Sequence, residues 1–320
     1  MHAFKRSFEI AKIDFRQHCF FDLVPHDFLK EFLETKNQIT KHVFENNDTP
    51  DTYEHLVSVD RLLYKMRHRE LNVNIQDCRG IMANSSFRHA ANGLLNSPRY
   101  IDYNLFGTVT GRLSTHKGSF PILTMKKELR MLLKPHNDWF LSLDYNGAEA
   151  RTVLGLLDVE QPEYDIHEWN LKNTLKNSAQ NREEAKNKFF SWLYNPDSST
   201  IQDSVYDRNA LLEKYYSDGY VNTIFGRKIK VDSYKALNYI IQSTTADLVN
   251  DRAVKIDDFL KDKKSFVSHI VHDEVVIDLH DDERSLVTEI EDIFKNNKMG
   301  QYKTNTKAAK NYYDLEVLRL

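Results

Sequence analysis

Two runs of alternating apolar and polar residues flank a short acidic segment in the C-terminal part of the chain. Residues 268 to 280 read SHIVHDEVVIDLH, so His272, Asp273 and Glu274 separate two segments typical of half-buried strands. An Asn-Gly pair would make a better tight turn than these residues. The pattern predicts a strand-turn-strand unit with two adjacent carboxylates at its tip. A lone Asp-Glu pair is more often an ordinary turn than a functional site, so the remaining sequence must decide between the two interpretations.

A further carboxylate lies where the periodicity of the sequence changes. Residues 138 to 157, DWFLSLDYNGAEARTVLGLL, alternate as in a strand up to Tyr145 and become helical from Ala148. Asp144 is therefore predicted at a strand end. If this strand pairs with the acidic strand-turn-strand unit in one antiparallel sheet, Asp144 and Asp273 can converge on two divalent cations. Oxygen ligands without a Cys or His cluster favour Mg²⁺ over zinc.

Composition limits the class of protein and of surface. The chain has 320 residues, of which 41% are hydrophobic and 28% charged, as expected for a globular protein of one large domain or a few interlocked ones. Its 44 Lys and Arg residues against 47 Asp and Glu residues predict that any nucleic-acid surface is local. Cys19 and Cys78 predict no disulfide framework. With no signal-peptide pattern and no apolar run of about 18 residues, we expect a soluble cytoplasmic protein.

Helical periodicity dominates the N-terminal part and recurs between the predicted strands. Residues 26–46 and 46–71 predict a helical hairpin whose second arm ends in the basic residues Lys65, Arg67, His68 and Arg69. These cations could complement the helix dipole or bind a phosphate backbone. Further helices are predicted within 165–196, within 205–219 up to Gly219, and over 233–260. The C-terminal third should follow the order helix, strand, turn, strand, helix, strand.

Two cations and two aromatic residues recur at intervals of four in residues 181–196, NREEAKNKFFSWLYNP. The four are Arg182, Lys186, Phe190 and Tyr194. This spacing places them on one helix face, where the cations suit a triphosphate and the rings suit a base and sugar. Taken alone, the pattern is more often a half-buried surface helix. Phe189, Trp192 and Leu193 are predicted to form its core-facing side.

Seven motifs, in the same order, resemble those of family A DNA polymerases, the group of bacterial DNA polymerase I and phage replicases. They are TGRLS at 110–114, LSLDYNGAEAR at 141–151, DIH at 165–167, the four residues within 182–194, GYVNTIFGR at 219–227, NYIIQSTTAD at 238–247 and VHDE at 271–274. The resemblance covers roughly residues 100 to 320. It implies an α+β right-hand fold with an antiparallel palm sheet, helical fingers and a short helical thumb. The implied division is 1–95 with the thumb-like hairpin, 96–160 palm, 161–232 reduced fingers and 233–320 palm.

The resemblance also implies an activity and roles for individual residues. The primer 3′-hydroxyl would attack the α-phosphate of a deoxynucleoside triphosphate on a DNA template, with two Mg²⁺ ions bound by Asp144 and Asp273. The implied triphosphate contacts are Arg182, Lys186 and His167; Phe190 packs on the sugar and base, Tyr194 lies beside the templating base, and Glu149 blocks the ribose 2′ position. Arg112, Asn238 and Gln242 would contact DNA near the primer end, while Tyr145, His272 and Glu274 would border the metal site, with Glu274 in a supporting role.

Several departures from the family pattern modify these expectations. HKGSFPILTM follows TGRLS in place of the usual Leu-Gln-Asn-Ile-Pro element, and Ser191 and Asn195 replace two glycines. Only 24 residues, 195 to 218, separate Tyr194 from Gly219, which predicts reduced fingers. About 100 residues precede TGRLS, and they contain no Asp-x-Glu pair. We therefore expect no 3′–5′ exonuclease in this chain and a phage-like enzyme, in the host cytoplasm, that relies on a separate exonuclease or replication partner.

Three alternative functions remain at the level of sequence. A single-subunit RNA polymerase shares the palm and the fingers helix, but Glu149 and Phe190 favour DNA synthesis. A metal-dependent nuclease would use Asp144 and Asp273 but leaves the Arg182-to-Tyr194 pattern without a role. A non-catalytic replication accessory protein would not need both aspartates.

Overall fold

The computed structural model describes residues 2–15, 18–74, 85–175, 178–199, 201 and 205–318. Cys78, one of the two cysteines for which no disulfide is predicted, lies outside these residues. The contacts divide the chain into two compact units, 1–53 and 54–320. Within the described ranges, no helix is long and apolar enough to cross a membrane.

The first unit is helical and rich in phenylalanine. It contains α1 (His2–Ile10), a 3-10 turn (Phe20–Asp22) and α2 (His26–Asn46). Phe4 packs on Phe28 of α2 with ring centroids 4.8 Å apart, and Phe8 packs edge-on against Phe15 and Phe20. The sequence prediction of a helix over 26–46 is confirmed.

The second unit contains the remaining elements. Its helices are α3 (Tyr53–Arg67, starting at the boundary), α4 (Ser85–Leu95), α5 (Ala148–Leu156), α6 (Ile166–Asn173), α7 (Arg182–Tyr194), α8 (Arg208–Tyr215), α9 (Ser233–Phe259) and α10 (Val287–Lys295), with 3-10 segments at Ile122–Thr124, Lys127–Leu132 and Asp281–Leu286. Its strands are β1 (Asn72–Val73), β2 (Tyr103–Asn104), β3 (Ser114–Thr115), β4 (Leu133–Lys134), β5 (Trp139–Tyr145), β6 (Tyr216–Ser217), β7 (Tyr220–Asn222), β8 (Lys228–Lys230), β9 (Phe266–Val271), β10 (Glu274–Leu279), β11 (Asn296–Asn297), β12 (Gly300–Gln301), β13 (Thr304–Ala309) and β14 (Glu316–Val317).

A five-stranded antiparallel sheet, in the order β14-β13-β5-β10-β9, lies at the centre of this unit. Strand β5 is buried along most of its length because neighbouring strands cover both edges and side chains alternate between two packed faces. One face packs against α9 and α10. The register pairs Asp144 with Glu274 on β10 and with Asn305 on β13, which places three polar side chains in one row across the other face.

The predicted strand-turn-strand unit is confirmed. Val271 pairs with Glu274, so His272 and Asp273 alone connect β9 to β10. His272 has a φ of 57°, in the left-handed region that a tight hairpin connection requires and that a non-glycine residue seldom occupies. The strand ending at Tyr145 and the helix starting at Ala148 are confirmed as well.

Two helix boundaries differ from those predicted. The helix expected to continue to Gly219 ends at Tyr215, and Tyr216–Ser217 form β6 instead. Asp218 and Gly219 have φ values of 52° and 79°, so they form the tight connection between β6 and β7 rather than a helix end. The region 165–196 forms two helices, α6 and α7. Asp165 and Asn181 start them by accepting hydrogen bonds from the first-turn amides.

The basic residues at the end of α3 contact neighbouring elements. Lys65 Nζ lies 2.5 Å from a carboxylate oxygen of Asp257, and the Arg67 guanidinium lies 3.2 Å from Asp102. The Arg69 guanidinium stacks 3.6 Å from the centre of the Phe266 ring. These contacts join α3 to its surroundings within the second unit, a role that neither sequence interpretation of the basic run included.

Candidate active site

Asp144 and Asp273 come together at one end of the central sheet. Asp144 is the penultimate residue of β5, and Asn305 Nδ2 donates to its Oδ2 at 3.3 Å. Asp273 lies in the β9–β10 connection. Burial, followed by the negative charge of Asp273, raises the pKa of Asp144 to about 7, and burial raises the pKa of Asp273. Two partly buried carboxylates that repel each other form a site that a cation would stabilise.

Glu274 lies beside this pair but has its own hydrogen-bond partners. Ser142 Oγ donates to its Oε1 at 2.5 Å, and the Tyr312 hydroxyl donates to its Oε2 at 2.6 Å. Both carboxylate oxygens are thus held by neutral donors from within the sheet region. This arrangement suits the supporting role expected for Glu274 and fixes its charge next to Asp144.

A cavity of about 330 Å³ adjoins the two aspartates. We call it the nucleotide cavity. Of the residues assigned from the sequence, those lining it are Arg112, Asp144, Tyr145, Glu149, His167, Arg182, Lys186, Phe190, His272 and Asp273. They come from separate parts of the chain, so folding joins a carboxylate pair, two cations of α7 and an aromatic ring around one space.

Helix α7 presents its residues in the predicted register. It starts at Arg182 and ends at Tyr194, and Phe189, Trp192 and Leu193 are buried on its core side as expected. The rings of Phe190 and Tyr194 stack with their planes 9° apart and their centroids separated by 5.8 Å. The cations and the first of these rings therefore lie along the nucleotide cavity.

Asp165 orients this region, and the sequence analysis did not single it out beyond the DIH motif. Its Oδ1 caps α6 by accepting from the amides of His167 and Glu168 at 2.9 and 3.0 Å. Its Oδ2 accepts from Arg182 at 2.8 Å and from Asn146 at 2.7 Å. Burial opposes ionisation, but these hydrogen bonds hold the pKa of Asp165 well below its usual range. An Asp before a helical pattern signals a cap, which was the available sequence clue.

His167 lies next to these cations with little access to solvent. Its Nδ1 is buried without a hydrogen-bond partner among the described residues. Burial, with the positive charges of Arg182 and Lys186, lowers the pKa of His167 to about 4, although Asp165 opposes the shift. The imidazole is therefore neutral at pH 7 and can donate one hydrogen bond to an anion without adding charge.

Glu149 is buried at the wall of the nucleotide cavity and is held by two donors. Arg112 forms an ion pair with it, and the Tyr194 hydroxyl donates to its Oε2 at 2.9 Å. Burial raises the pKa of Glu149 despite these partners. Tyr194 also hydrogen-bonds Gln242, so residues from four segments meet around the Glu149 carboxylate and the Tyr194 hydroxyl.

The remaining predicted residues are placed differently. Tyr145 contributes to the cavity lining, but its ring stacks on Phe294 with a centroid distance of 4.1 Å and its hydroxyl donates to the Phe294 carbonyl at 2.6 Å. That side chain points to the opposite face of the sheet from Asp144, because neighbouring strand residues alternate. Its place at the border of the metal site stays a prediction. Asn238 and Gln242 lie one helical turn apart on α9, outside the lining of the nucleotide cavity, and Asn238 Oδ1 is buried without a partner among the described residues.

Comparisons with known proteins agree with this geometry. Residues 164–314 match the family model described as DNA polymerase family A. A solved structure titled as the POL domain of Pol1 from M. smegmatis, in complex with DNA primer-template and dNTP, matches with a TM-score of 0.63 and 15% sequence identity. The match covers 81% of this chain and 70% of that chain. The search of curated proteins found no match. The expected polymerase fold is confirmed.

Proposed function

Because this chain carries a family A DNA polymerase domain, we propose that it extends the 3′ end of a DNA primer by a two-magnesium mechanism. The observation that carries the proposal is the convergence of Asp144 and Asp273 on a cavity that also contains Arg182 and Lys186. We assign the central sheet to the palm, residues 161–232 to reduced fingers and the helical hairpin within 1–95 to the thumb. The structural relative was solved with primer-template and dNTP, which supports the same partners here.

The residues present fit Mg²⁺. Asp144 and Asp273 offer only oxygen donors, and the described residues contain no cluster of three or more His, Cys, Asp or Glu side chains able to hold a metal ion. Mg²⁺ is commonly held by one or two carboxylates together with substrate phosphates, so this pair is sufficient. Bound there, Mg²⁺ would stabilise the charge on the attacking and leaving oxygens of the phosphoryl transfer. Asn305 keeps the Asp144 carboxylate in place through its hydrogen bond.

The triphosphate is assigned to the part of the nucleotide cavity lined by His167, Arg182 and Lys186. Asp165 holds the Arg182 guanidinium at this wall before substrate arrives, which lowers the cost of orienting it. Neutral His167 donates a hydrogen bond to a phosphate oxygen. Lys186 has no ion-pair partner in the described part of the chain and supplies a positive charge near the leaving group.

The sugar and base are assigned to Phe190, Glu149 and Tyr194. Phe190 provides a flat apolar surface in the nucleotide cavity, and Glu149 occupies the space where a ribose 2′-hydroxyl would extend. Tyr194 stacks on Phe190 and is assigned to the templating base. Arg112, Asn238, Gln242 and His272 are assigned to the primer-template duplex.

Primer extension tests this proposal against the alternatives. A labelled primer-template is incubated with Mg²⁺ and either deoxynucleotides, ribonucleotides or no nucleotide. DNA polymerase activity predicts template-dependent lengthening with the deoxy set alone. Lengthening with ribonucleotides at equal efficiency would favour an RNA polymerase, and shortening without nucleotides would favour a nuclease.

We also propose that these 320 residues contain no 3′–5′ exonuclease site, because no Asp-x-Glu pair precedes TGRLS. A primer with a mismatched 3′ end should stay intact for hours with Mg²⁺ and no nucleotide. Steady shortening of that primer, in proportion to the purified chain, would overturn this part of the proposal.

A further inference from the structure

A second cavity, of about 310 Å³, adjoins the catalytic aspartates. It shares Asp144, His272 and Asp273 with the nucleotide cavity, so the carboxylate pair forms a wall between the two spaces. The other residues lining it are Lys127, Arg130, Val271, Glu274, Lys307, Tyr312, Tyr313 and Leu315. We call it the cationic cavity, because it contains two lysines and an arginine.

The three cations of this cavity form no close ion pair within the described residues, although Lys307 interacts electrostatically with Asp144. Neither Lys127, Arg130 nor Lys307 forms an ion pair with a carboxylate there, and Arg130 Nε is buried without a hydrogen-bond partner. The nearby Glu274 is already bonded through both oxygens to Ser142 and Tyr312. Cations without a close carboxylate partner bind phosphate through charge-assisted hydrogen bonds, so an anion from outside the chain would stabilise this site.

The cations are held on rigid elements. Lys307 belongs to β13, two residues after the Asn305 that hydrogen-bonds Asp144, and it pairs in register with Ser142 of β5. The Arg130 guanidinium lies 4.7 Å from the centre of the Tyr312 ring. Their distance from the catalytic pair is therefore fixed by the sheet and by ring packing rather than by a loose loop.

The chemistry of the proposed reaction gives this cavity an occupant. In an in-line displacement, the attacking and leaving oxygens lie on opposite sides of the phosphorus. If the triphosphate lies along Arg182 and Lys186, the α-phosphorus lies near the aspartate pair, and the attacking 3′-hydroxyl approaches it from the side away from these cations. The cationic cavity borders the same aspartates but is not lined by Arg182 or Lys186. The phosphodiester that links the last two primer nucleotides is the anion nearest to the 3′-hydroxyl.

We infer that the cationic cavity binds the 3′-terminal phosphodiester of the primer strand, with Arg130 and Lys307 as its principal contacts and Lys127 as an outer one. The terminal nitrogens of the Arg130 guanidinium and the Lys307 ammonium donate to the non-bridging oxygens, while the rings of Tyr312 and Tyr313 pack beside the sugar. This assignment rests on the proposed function. Arg130 and Lys307 are then positioning residues, because they place the 3′-hydroxyl for attack without contacting it.

The test uses primers in which one phosphodiester is replaced by an uncharged methylphosphonate. Equilibrium binding of primer-template is measured by fluorescence anisotropy for the wild type, Arg130→Gln and Lys307→Gln. Lys261→Gln is the control, because Lys261 is exposed just after α9 and lines neither cavity. Thermal unfolding checks that each variant is folded. Lys307→Gln leaves the Arg130–Tyr312 contact intact, so the inference can still be tested with this variant if Arg130→Gln does not fold.

The expected result is specific to one linkage. On an unmodified primer, loss of a charge-assisted contact should weaken binding roughly ten- to a hundredfold for Arg130→Gln and somewhat less for the more accessible Lys307→Gln. The slope of log affinity against log salt should fall by about 0.9 for each lost phosphate contact. A methylphosphonate at the 3′-terminal linkage should weaken DNA binding by the wild type and by the Lys261→Gln control. It should cause little further loss of affinity in Arg130→Gln or Lys307→Gln. KM for the nucleotide should stay near the wild-type value.

Two results would overturn the inference. One is an equal methylphosphonate penalty at the terminal linkage in wild type and variants, and the other is a penalty confined to linkages far from the 3′ end. Binding is measured without nucleotide and without turnover. A linkage-specific effect in a protein that never extends primers would therefore contradict the proposed polymerase activity and leave the phosphate site standing.

Discussion

Replacing Glu149 by Ala should make the enzyme use ribonucleotides. The Glu149 side chain is only 10% exposed and is fixed at the wall of the nucleotide cavity by Arg112 and Tyr194. It cannot swing aside to admit a 2′-hydroxyl without breaking both contacts. Alanine removes every side-chain atom beyond Cβ, whereas a ribonucleotide adds a single oxygen, so the variant has ample room.

The expected change in sugar discrimination follows from the free-energy cost of placing an extra atom in a packed site. Inserting an extra group into a packed site costs about 1–3 kcal/mol, and each ~1.4 kcal/mol is a factor of ten in rate. The ratio of kcat/KM for a deoxynucleotide to that for its ribonucleotide should thus fall roughly five- to 150-fold. Folding should survive, because the hydroxyl of Tyr194 and the guanidinium of Arg112 are both partly exposed and can bond to water.

Glu149→Gln separates size from charge. Glutamine keeps the volume and can still accept from Tyr194, but it loses the ion pair with Arg112. Single-nucleotide kinetics on one template should show the reduced discrimination in the Ala variant and near wild-type discrimination in the Gln variant. An unchanged ratio in Glu149→Ala, or an equal fall in both variants, would refute the steric explanation.

Three further changes test other parts of the site. Phe190→Tyr adds a hydroxyl that can replace the missing 3′-hydroxyl of a dideoxynucleotide, so dideoxy incorporation relative to deoxy should improve roughly ten- to a hundredfold; no improvement would show that Phe190 is not at the sugar. Asp165→Asn keeps the cap of α6 but turns an amide donor towards Arg182, so KM for the nucleotide should rise about tenfold. Asp207→Asn is the control, because Asp207 caps α8 and forms no ion pair within the described residues. An equal rise in KM there would contradict the role of Asp165. Because the folded-state pKa of Asp144 is raised to about 7, ionisation of this carboxyl group destabilises the metal-free fold progressively as pH rises from about 4 to 7. Asp144→Asn should therefore raise Tm at pH 8 in EDTA but not at pH 4. An equal shift in Tm at both pH values would argue against this titration.

Local sequence patterns were sufficient to predict where Asp144 and Asp273 lie in the sheet. The change of period after Tyr145 predicted where β5 ends, and the alternation on either side of 272–273 predicted the β9–β10 hairpin. Both signals are strong because burial of a sheet face imposes a period of two over several residues. The spacing of four along α7 likewise predicted which side chains share a face.

Other features depend on contacts between distant segments, which no local pattern contains. The bond from Arg182 to Asp165 needs the two helices α6 and α7 to fold back on each other. The cationic cavity brings together Arg130 and Lys307, which are far apart in the sequence of the second unit. The end of α8 was predicted wrongly for a different reason. Glycine is common both at helix ends and in tight turns, so Gly219 alone does not distinguish the two. The pairing of Ser217 with Tyr220 shows that the turn is correct.

The most direct test of the account is single-turnover primer extension by Asp144→Asn and Asp273→Asn, with primer-template binding measured on the same preparations. Asp262→Asn is the matched control, since Asp262 is exposed and has a φ of 65° that Asn tolerates well. Each active-site variant should lose extension by roughly a thousandfold or more while binding DNA within a fewfold of wild type, because in the proposed mechanism the carboxylates hold the metals and contribute little to phosphate binding. Extension by either variant at close to the wild-type rate would contradict the two-metal assignment.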